Sequence, residues 1–513
     1  MKFGSMWQQT VIACSAVLVL GARVGAAQAV PGALGVFDAQ SDVGAVTPAG
    51  TAKLDAGVYT VAAAGANMWS REDAFHFVWK KLSGDAALTS DIAFGASKAP
   101  DPHRKAVLIF RQSLDADSVY VDAAQHGSGM TAVQYRREPS ATTQDIELNI
   151  ELPQRLKLEK RGDTFTMYVS NHGEPLHPVG ASIKLHLNEP FYAGIGVCSH
   201  NKDVVETATF SNLKLDTVLP TSTPEKTVAY STLQTIGIEE NFRRAMVVTT
   251  GPSRMEAPNW SKDGKTLIFN RDGKIWKVPA EGGTPSIVPT GEATKCTGSH
   301  GFSPDGKLIA ISCSMPEKPE TRVYIVPAEG GDPRLLTETA WSYFHGWSPD
   351  GKTIAFTRPD HKGGGNIFAI PVNGGAEKAL TSGTGISDDP DYSPDGNWIY
   401  FNSDRGGSMQ IWKMHPDGSG AEQVTSDQMN NWTPHPSPDG KSVLILSYPK
   451  GVTGHPTNTD VSFRILDVAD GKLRTLVDVV GGSGSDNTPN WAPDGKHFGF
   501  VSFEMVSEAD ASH

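Results

Sequence analysis

The sequence predicts an all-β protein in two parts. An N-terminal β-sandwich of the jelly-roll kind is followed by a six-bladed β-propeller with two-plus-two strand closure. Three observations predict this. The tetrapeptide Ser-Pro-Asp-Gly occurs at 303–306, 348–351, 393–396 and 437–440, with relaxed copies at 261–264 and 492–495. The aspartates of the six copies lie at 263, 305, 350, 395, 439 and 494, spacings of 42, 45, 45, 44 and 55 that mark a stacked or circular repeat fold. Residues 34–218 lack that period but carry short alternating segments between Gly- and Asp-containing turns.

At 513 residues the chain exceeds one ordinary domain. Its net charge of −12, from 45 basic and 57 acidic residues without a Lys/Arg block, argues against nucleic acid and anionic membrane as principal partners. Residues 1–29 read as a signal peptide. Lys2 is the positive n-region, Val11–Leu20 the apolar h-region and Ala27-Gln28-Ala29 the cleavage site. The apolar run is too short to span a bilayer, and no later segment is apolar enough. Val11-Ile12-Ala13-Cys14 offers a weaker lipoprotein reading. Export to the periplasm or medium is therefore expected. The mature chain keeps Cys198, Cys296 and Cys313. The last two bracket one Ser-Pro-Asp-Gly turn, so a cross-strand disulfide and free buried thiols both fit.

In the N-terminal part, β-prone segments recur at 106–111, 118–122, 156–159, 164–169, 192–198 and 207–213. The runs Asp73-Ala74-Phe75-His76-Phe77-Val78, Phe110-Arg111-Gln112-Ser113-Leu114, Arg161-Gly162-Asp163-Thr164-Phe165-Thr166 and Thr207-Ala208-Thr209-Phe210-Ser211-Asn212-Leu213 resemble the concanavalin-A-like (laminin-G-like) jelly rolls of secreted carbohydrate-active enzymes. That resemblance implies sugar contacts by Trp69, Arg111, Tyr135 and His200. The structural alternative makes Trp69 and Tyr135 packing residues and pairs Arg111 with a buried carboxylate. Residues 219–225 form a Pro/Thr linker before the repeats.

Each repeat reads as four strands. In the second, these are 295–302, 307–313, 322–327 and 333–337, with the tetrapeptide joining the first two. Pro presets φ at the first central turn position, Asp tolerates the second and Gly takes a positive φ, so the tetrapeptide is a hairpin device. The last repeat supplies only 486–491 and 496–503 before the polar tail 504–513. A hairpin of 233–238 and 242–249, turned at Glu239-Glu240-Asn241, is expected to complete it and remove a free edge.

These repeats, over about 226–503, resemble TolB-type propellers and, more distantly, oligogalacturonate lyases. The resemblance implies that the first strand of each blade lines a central channel, with its mouth opposite the tetrapeptide turns. Counting back five and four residues from each turn Asp gives His300, His345, Asp391 and His435, with Asp388 and Asp389 slightly upstream. His300, His345 and His435 are candidate ligands of a divalent cation (Mn, Zn or Ca), with Asp389 or Asp391 completing the shell. His345, Asp389, Asp391, His435, Tyr448, His455 and Arg464 are the candidate catalytic set. Asn402, Arg405, Gln410, Asn431, Trp432 and Asn487 are candidate substrate contacts. Cation-assisted β-elimination on an acidic sugar, or hydrolysis by paired carboxylates, would use such groups. No G-x-S-x-G, P-loop or dinucleotide fingerprint occurs. The leading expectation is an exported protein that recognises, and as a lyase or hydrolase cleaves, an oligosaccharide or polysaccharide. The alternative is a non-catalytic TolB-like scaffold that binds an envelope protein. The enzyme requires three histidines around a common point, whereas the scaffold predicts that they are dispersed.

Overall fold

A computed structural model describes residues 34–507, apart from 98–99, 172, 220–226, 239–243, 252 and 361–362. The expected signal peptide, most of the linker, the 239–241 turn and the end of the tail lie outside the described residues. Every regular element among the described residues is a strand. Among the described residues, no helix is long and apolar enough to cross a membrane.

The N-terminal part contains two sheets. The first runs in the order Ala39–Val43, Phe75–Leu82, Phe191–Cys198, Lys105–Arg111, Tyr120–His126, Thr131–Arg136, Gln144–Glu147. The second is built around Arg155–Arg161, Ala86–Phe94, Asn201–Asp216 and Val58–Gly65. The period-2 alternation of Lys105–Arg111 explains how they meet. Ala106, Leu108 and Phe110 point into a cluster with Leu88, Leu158 and Phe165 of the second sheet, while Val107 and Ile109 face the other way. That other face is also covered. Arg111 and Arg136 both pair with Asp73, at 3.0 and 2.8 Å, and none of the three side chains is exposed to solvent.

The repeats build five four-stranded antiparallel blades, starting at Met255–Trp260, Lys295–Phe302, Tyr343–Trp347, Ser387–Tyr392 and Asn430–Pro436. Neighbouring blades share apolar clusters, such as Ala310, Val323 and Ile325 of the second with Phe344, Ile354 and Phe356 of the third. Each Ser-Pro-Asp-Gly turn is clamped by its serine. Ser303 Oγ accepts from Leu308 N–H at 3.0 Å and donates to Asp305 Oδ1, which accepts from Lys307 N–H. Gly306 has φ +75°.

The expected six four-stranded blades are corrected to five. Within 486–491, the expected inner strand of the sixth, only one bridge forms, Trp491 with Phe498. Pro489 lacks the N–H a ladder needs, and buried Asn490 instead donates its side-chain amide to Gly499 O. The remaining strands, His497–Ser507, Thr227–Gly237 and Arg244–Thr250, pair antiparallel in that order. Arg244–Thr250 then joins Gln144–Glu147 in parallel, so these three strands continue the first N-terminal sheet. Ser182 Oγ also donates to Glu504 across this junction, at 2.7 Å. In the second blade Cys296 and Cys313 stand opposite each other and form a disulfide. Cys198 is a buried thiol whose pKa burial pushes up to about 11.

Candidate functional site

The inner strand of every blade is bulged, with its register to the next strand shifting between Glu256 and Asn259, Cys296 and His300, Phe344 and Gly346, Asp388 and Asp391, and Trp432 and His435. Bulges re-aim side chains. His345 and Asp389 lie within theirs, and Asp389 and Thr433 have φ of +50° and +46°.

Two buried groups result. In one, His345 of the third blade faces Asp388 and Asp389 of the fourth, with Nε2 to Asp388 Oδ1 at 3.4 Å and Nδ1 to Asp389 Oδ1 at 3.2 Å. One ligand atom from each residue lies within 4.8 Å of the others. Burial lowers the His345 pKa, and burial with the charges of Asp388 and Asp486 pushes the Asp389 carboxyl well up. In the other, His435 Nδ1 pairs with Asp391 Oδ2 at 3.1 Å and Nε2 donates to Asp486 O at 2.7 Å. Thr433 Oγ1 lies 3.1 Å from both Asp486 carboxylate oxygens. Burial depresses His435, but Asp391 and Asp486 outweigh it and the net shift is upward. Burial raises Asp391, and raises Asp486 to about 7 against the pull of His435 and Thr433.

The three histidines named from the sequence do not share a point. His300 and His435 fall outside the group formed by His345, Asp388 and Asp389. His300 is fully buried, neither ring nitrogen reaches a partner in hydrogen-bond geometry among the described residues, and burial lowers its pKa to about 4 against the opposing pull of the Thr297, Ile268 and Ala257 backbone. The reason is the ladder. His300 and His435 pair with Ile311 and Leu444, whereas His345 is the extra residue of its bulge.

Most other candidates are internal. Gln410 donates to Met429 O and accepts from Thr425 and Asn431. The Asn431 carbonyl accepts from Ser447. Arg464, expected to bind a substrate carboxylate bidentately, instead pairs through Nη1 with Asp427 at 2.6 Å. Asn402 is fully buried and accepts from Thr433 N–H. Arg405 donates to Ser403 and Ser387, with its guanidinium over Trp412. Tyr448 is buried, with its hydroxyl 3.2 Å from Pro456 O, and burial raises its pKa. Trp432 is buried against exposed His455, their rings 4.6 Å apart. Asn487 accepts from Gly484 N–H. Sequence reasoning did not single out Asp486, which lies eight residues before the turn aspartate Asp494, the same offset as Asn431 from Asp439.

In the N-terminal part, Tyr135 is core and Arg111 is engaged by Asp73. Trp69 and His200 line a cavity of about 210 Å³ with His103, Lys105 and Gln134.

Comparison with known proteins agrees with the propeller. Residues 345–508 match the TolB β-propeller domain family PD40. The uncharacterised protein Atu1656 of Agrobacterium fabrum is 45 % identical over 274 residues, which cover 52 % of this chain and 90 % of that protein. The solved structure of a TolB candidate from Agrobacterium tumefaciens is 42 % identical, with a TM-score of 0.51 over 54 % of this chain and 99 % of its own. The Tol-Pal system protein TolB of Francisella tularensis subsp. mediasiatica is 29 % identical over 186 residues, and the match spans only 41 % of that protein. The chain belongs to the TolB-like β-propeller family.

Proposed function

We propose that this chain is a non-catalytic, TolB-like scaffold, exported to the periplasm or medium, whose propeller mouth binds an envelope protein. The observation that carries this reading is the internal engagement of the candidate chemistry. Gln410, Asn431, Tyr448 and Arg464 direct their polar atoms to neighbours within the fold, and the three histidines do not gather into one ligand group. Kinship supports it, since a relative is a protein of the Tol-Pal system. On the loop between the second blade's outer strand Arg334–Leu335 and the third blade's inner strand Tyr343–Trp347, the mouth side, Trp341 is 40 % exposed, and indoles are favoured anchors of protein interfaces.

A second reading, an oligosaccharide lyase or hydrolase, draws on the buried His345–Asp388–Asp389 group. One experiment separates them. A photo-crosslinking residue replaces Trp341 at the mouth or Lys352 beside the opposite turn, and a panel of neutral and acidic oligosaccharides is assayed for cleavage. The scaffold gives a discrete crosslinked envelope protein from position 341 alone and no cleavage. Turnover of an oligosaccharide that is lost in His345→Gln overturns it in favour of the enzyme.

A further inference from the structure

We propose that His345, Asp388 and Asp389 form a binding site for one divalent first-row transition cation, of the Mn²⁺ or Zn²⁺ class, bridging the third and fourth blades. The inference goes beyond the scaffold reading and does not depend on it.

Geometry comes first. One imidazole and two carboxylates, from inner strands of adjacent blades, place a ligand atom each within 4.8 Å of one another. Donors about 2.0–2.2 Å from one ion lie at most about 4.4 Å apart, so side-chain adjustments of a few tenths of an ångström would close this group on an ion. His345 is 6 % and Asp389 8 % exposed, while the Asp388 side chain keeps 25 % of its surface open and leaves the group accessible. The second observation is an unsatisfied atom. His345 Nδ1 is buried and lies 3.2 Å from Asp389 Oδ1 without hydrogen-bond geometry. A buried ring nitrogen left that way is costly unless something else takes its lone pair or its proton.

Charge balance points the same way. Asp388 and Asp389 sit near Asp391 and Asp486, and among the described residues none of the four is ion-paired to a lysine or arginine. The adjoining His435 is held by Asp391 and the Asp486 carbonyl, so it is not free to compensate the pair at 388 and 389. A dication bound there would pair with both carboxylates in their deprotonated form. The donor set selects the class, because imidazole with carboxylates suits Mn²⁺ and Zn²⁺, whereas Ca²⁺ takes six to eight oxygens.

The test uses the full chain, stripped with chelator and titrated calorimetrically with Zn²⁺, Mn²⁺ and Ca²⁺, with melting temperature followed in parallel. One equivalent of Zn²⁺ or Mn²⁺ per chain is expected, with a higher melting temperature. Affinity should fall by more than about tenfold in Asp389→Asn and in the half-open Asp388→Asn. The second variant keeps the test valid if the buried one misfolds, and circular dichroism checks both. His300→Gln, outside the group, should bind as wild type. Absence of a stoichiometric site, a preference for Ca²⁺, or binding unchanged in both aspartate variants overturns the proposal.

Discussion

Both halves of the molecule bury charge, and they do it differently. On the outer face of the first N-terminal sheet, Lys105, Arg111 and Arg136 meet Asp73, Asp122 and Asp145, and the two guanidiniums clamp one carboxylate. In the channel, four aspartates face two histidines. In the balanced cluster the two guanidiniums fix the covering segment around Asp73, while burial raises the Asp122 carboxyl. In an unbalanced one the carboxyls either hold protons, as the raised Asp389, Asp391 and Asp486 do, or take a counter-charge from outside. Buried charge alone is therefore a poor marker of function, and its surplus is a better one.

The largest effect should come from the balanced side. Asp73→Asn leaves two buried guanidiniums without their counter-charge and should cost about 3–5 kcal/mol in chemical denaturation. A cost below about 1 kcal/mol would break the comparison. In the channel the sign reverses with pH. Asp486 is raised to about 7, so the folded state holds its proton above the ordinary carboxylate value. Its contribution is present below about pH 4 and lost as pH rises through 7, on the order of 4 kcal/mol. Asp486→Asn should flatten that decline in a stability profile. His300, lowered to about 4, behaves oppositely. Its contribution is present above about pH 6.5 and lost on acidification through 4, on the order of 3 kcal/mol. His300→Gln should remove the acid-side loss. The smallest effect belongs to the Lys184–Asp460 pair between the two halves, with side chains 50 % and 57 % exposed. Lys184→Ala should change stability by less than about 1 kcal/mol.

The sequence made the blades legible because their turns carry fixed chemistry. The strand expected at 295–302 is Lys295–Phe302 in the structure. What the turn pattern did not disclose is the role of Ser303, whose hydroxyl ties Leu308 N–H to Asp305. The channel was legible as a list and not as a geometry. Counting back from the turns aligns His300 with His345, but the bulge between Cys296 and His300 encloses Thr297, Gly298 and Ser299 and leaves His300 in the ladder, whereas that between Phe344 and Gly346 encloses His345 itself. Equal distance along the chain is therefore not equal direction. Arg464 and Gln410, on the third strands of their blades, are engaged within the fold, and a polar residue on a blade strand reads the same whether it faces a ligand or a neighbouring segment. Only position distinguishes them, and Asp427 and Asn431 supply it.

The pairing of Thr227–Gly237 with His497–Ser507 also sets a clock. Gln234 and Ser502 hydrogen-bond across 268 residues, whereas each four-stranded blade is assembled from one local run of chain. Closing so long a loop is entropically unfavourable and slow compared with local hairpins. The five blades can therefore form one after another, while the last strand pair seals the ring only when both of its distant partners are present. Refolding should show an early phase of blade formation and a late one of sealing, and substitutions at the Gln234–Ser502 contact should accelerate unfolding while leaving the early phase untouched.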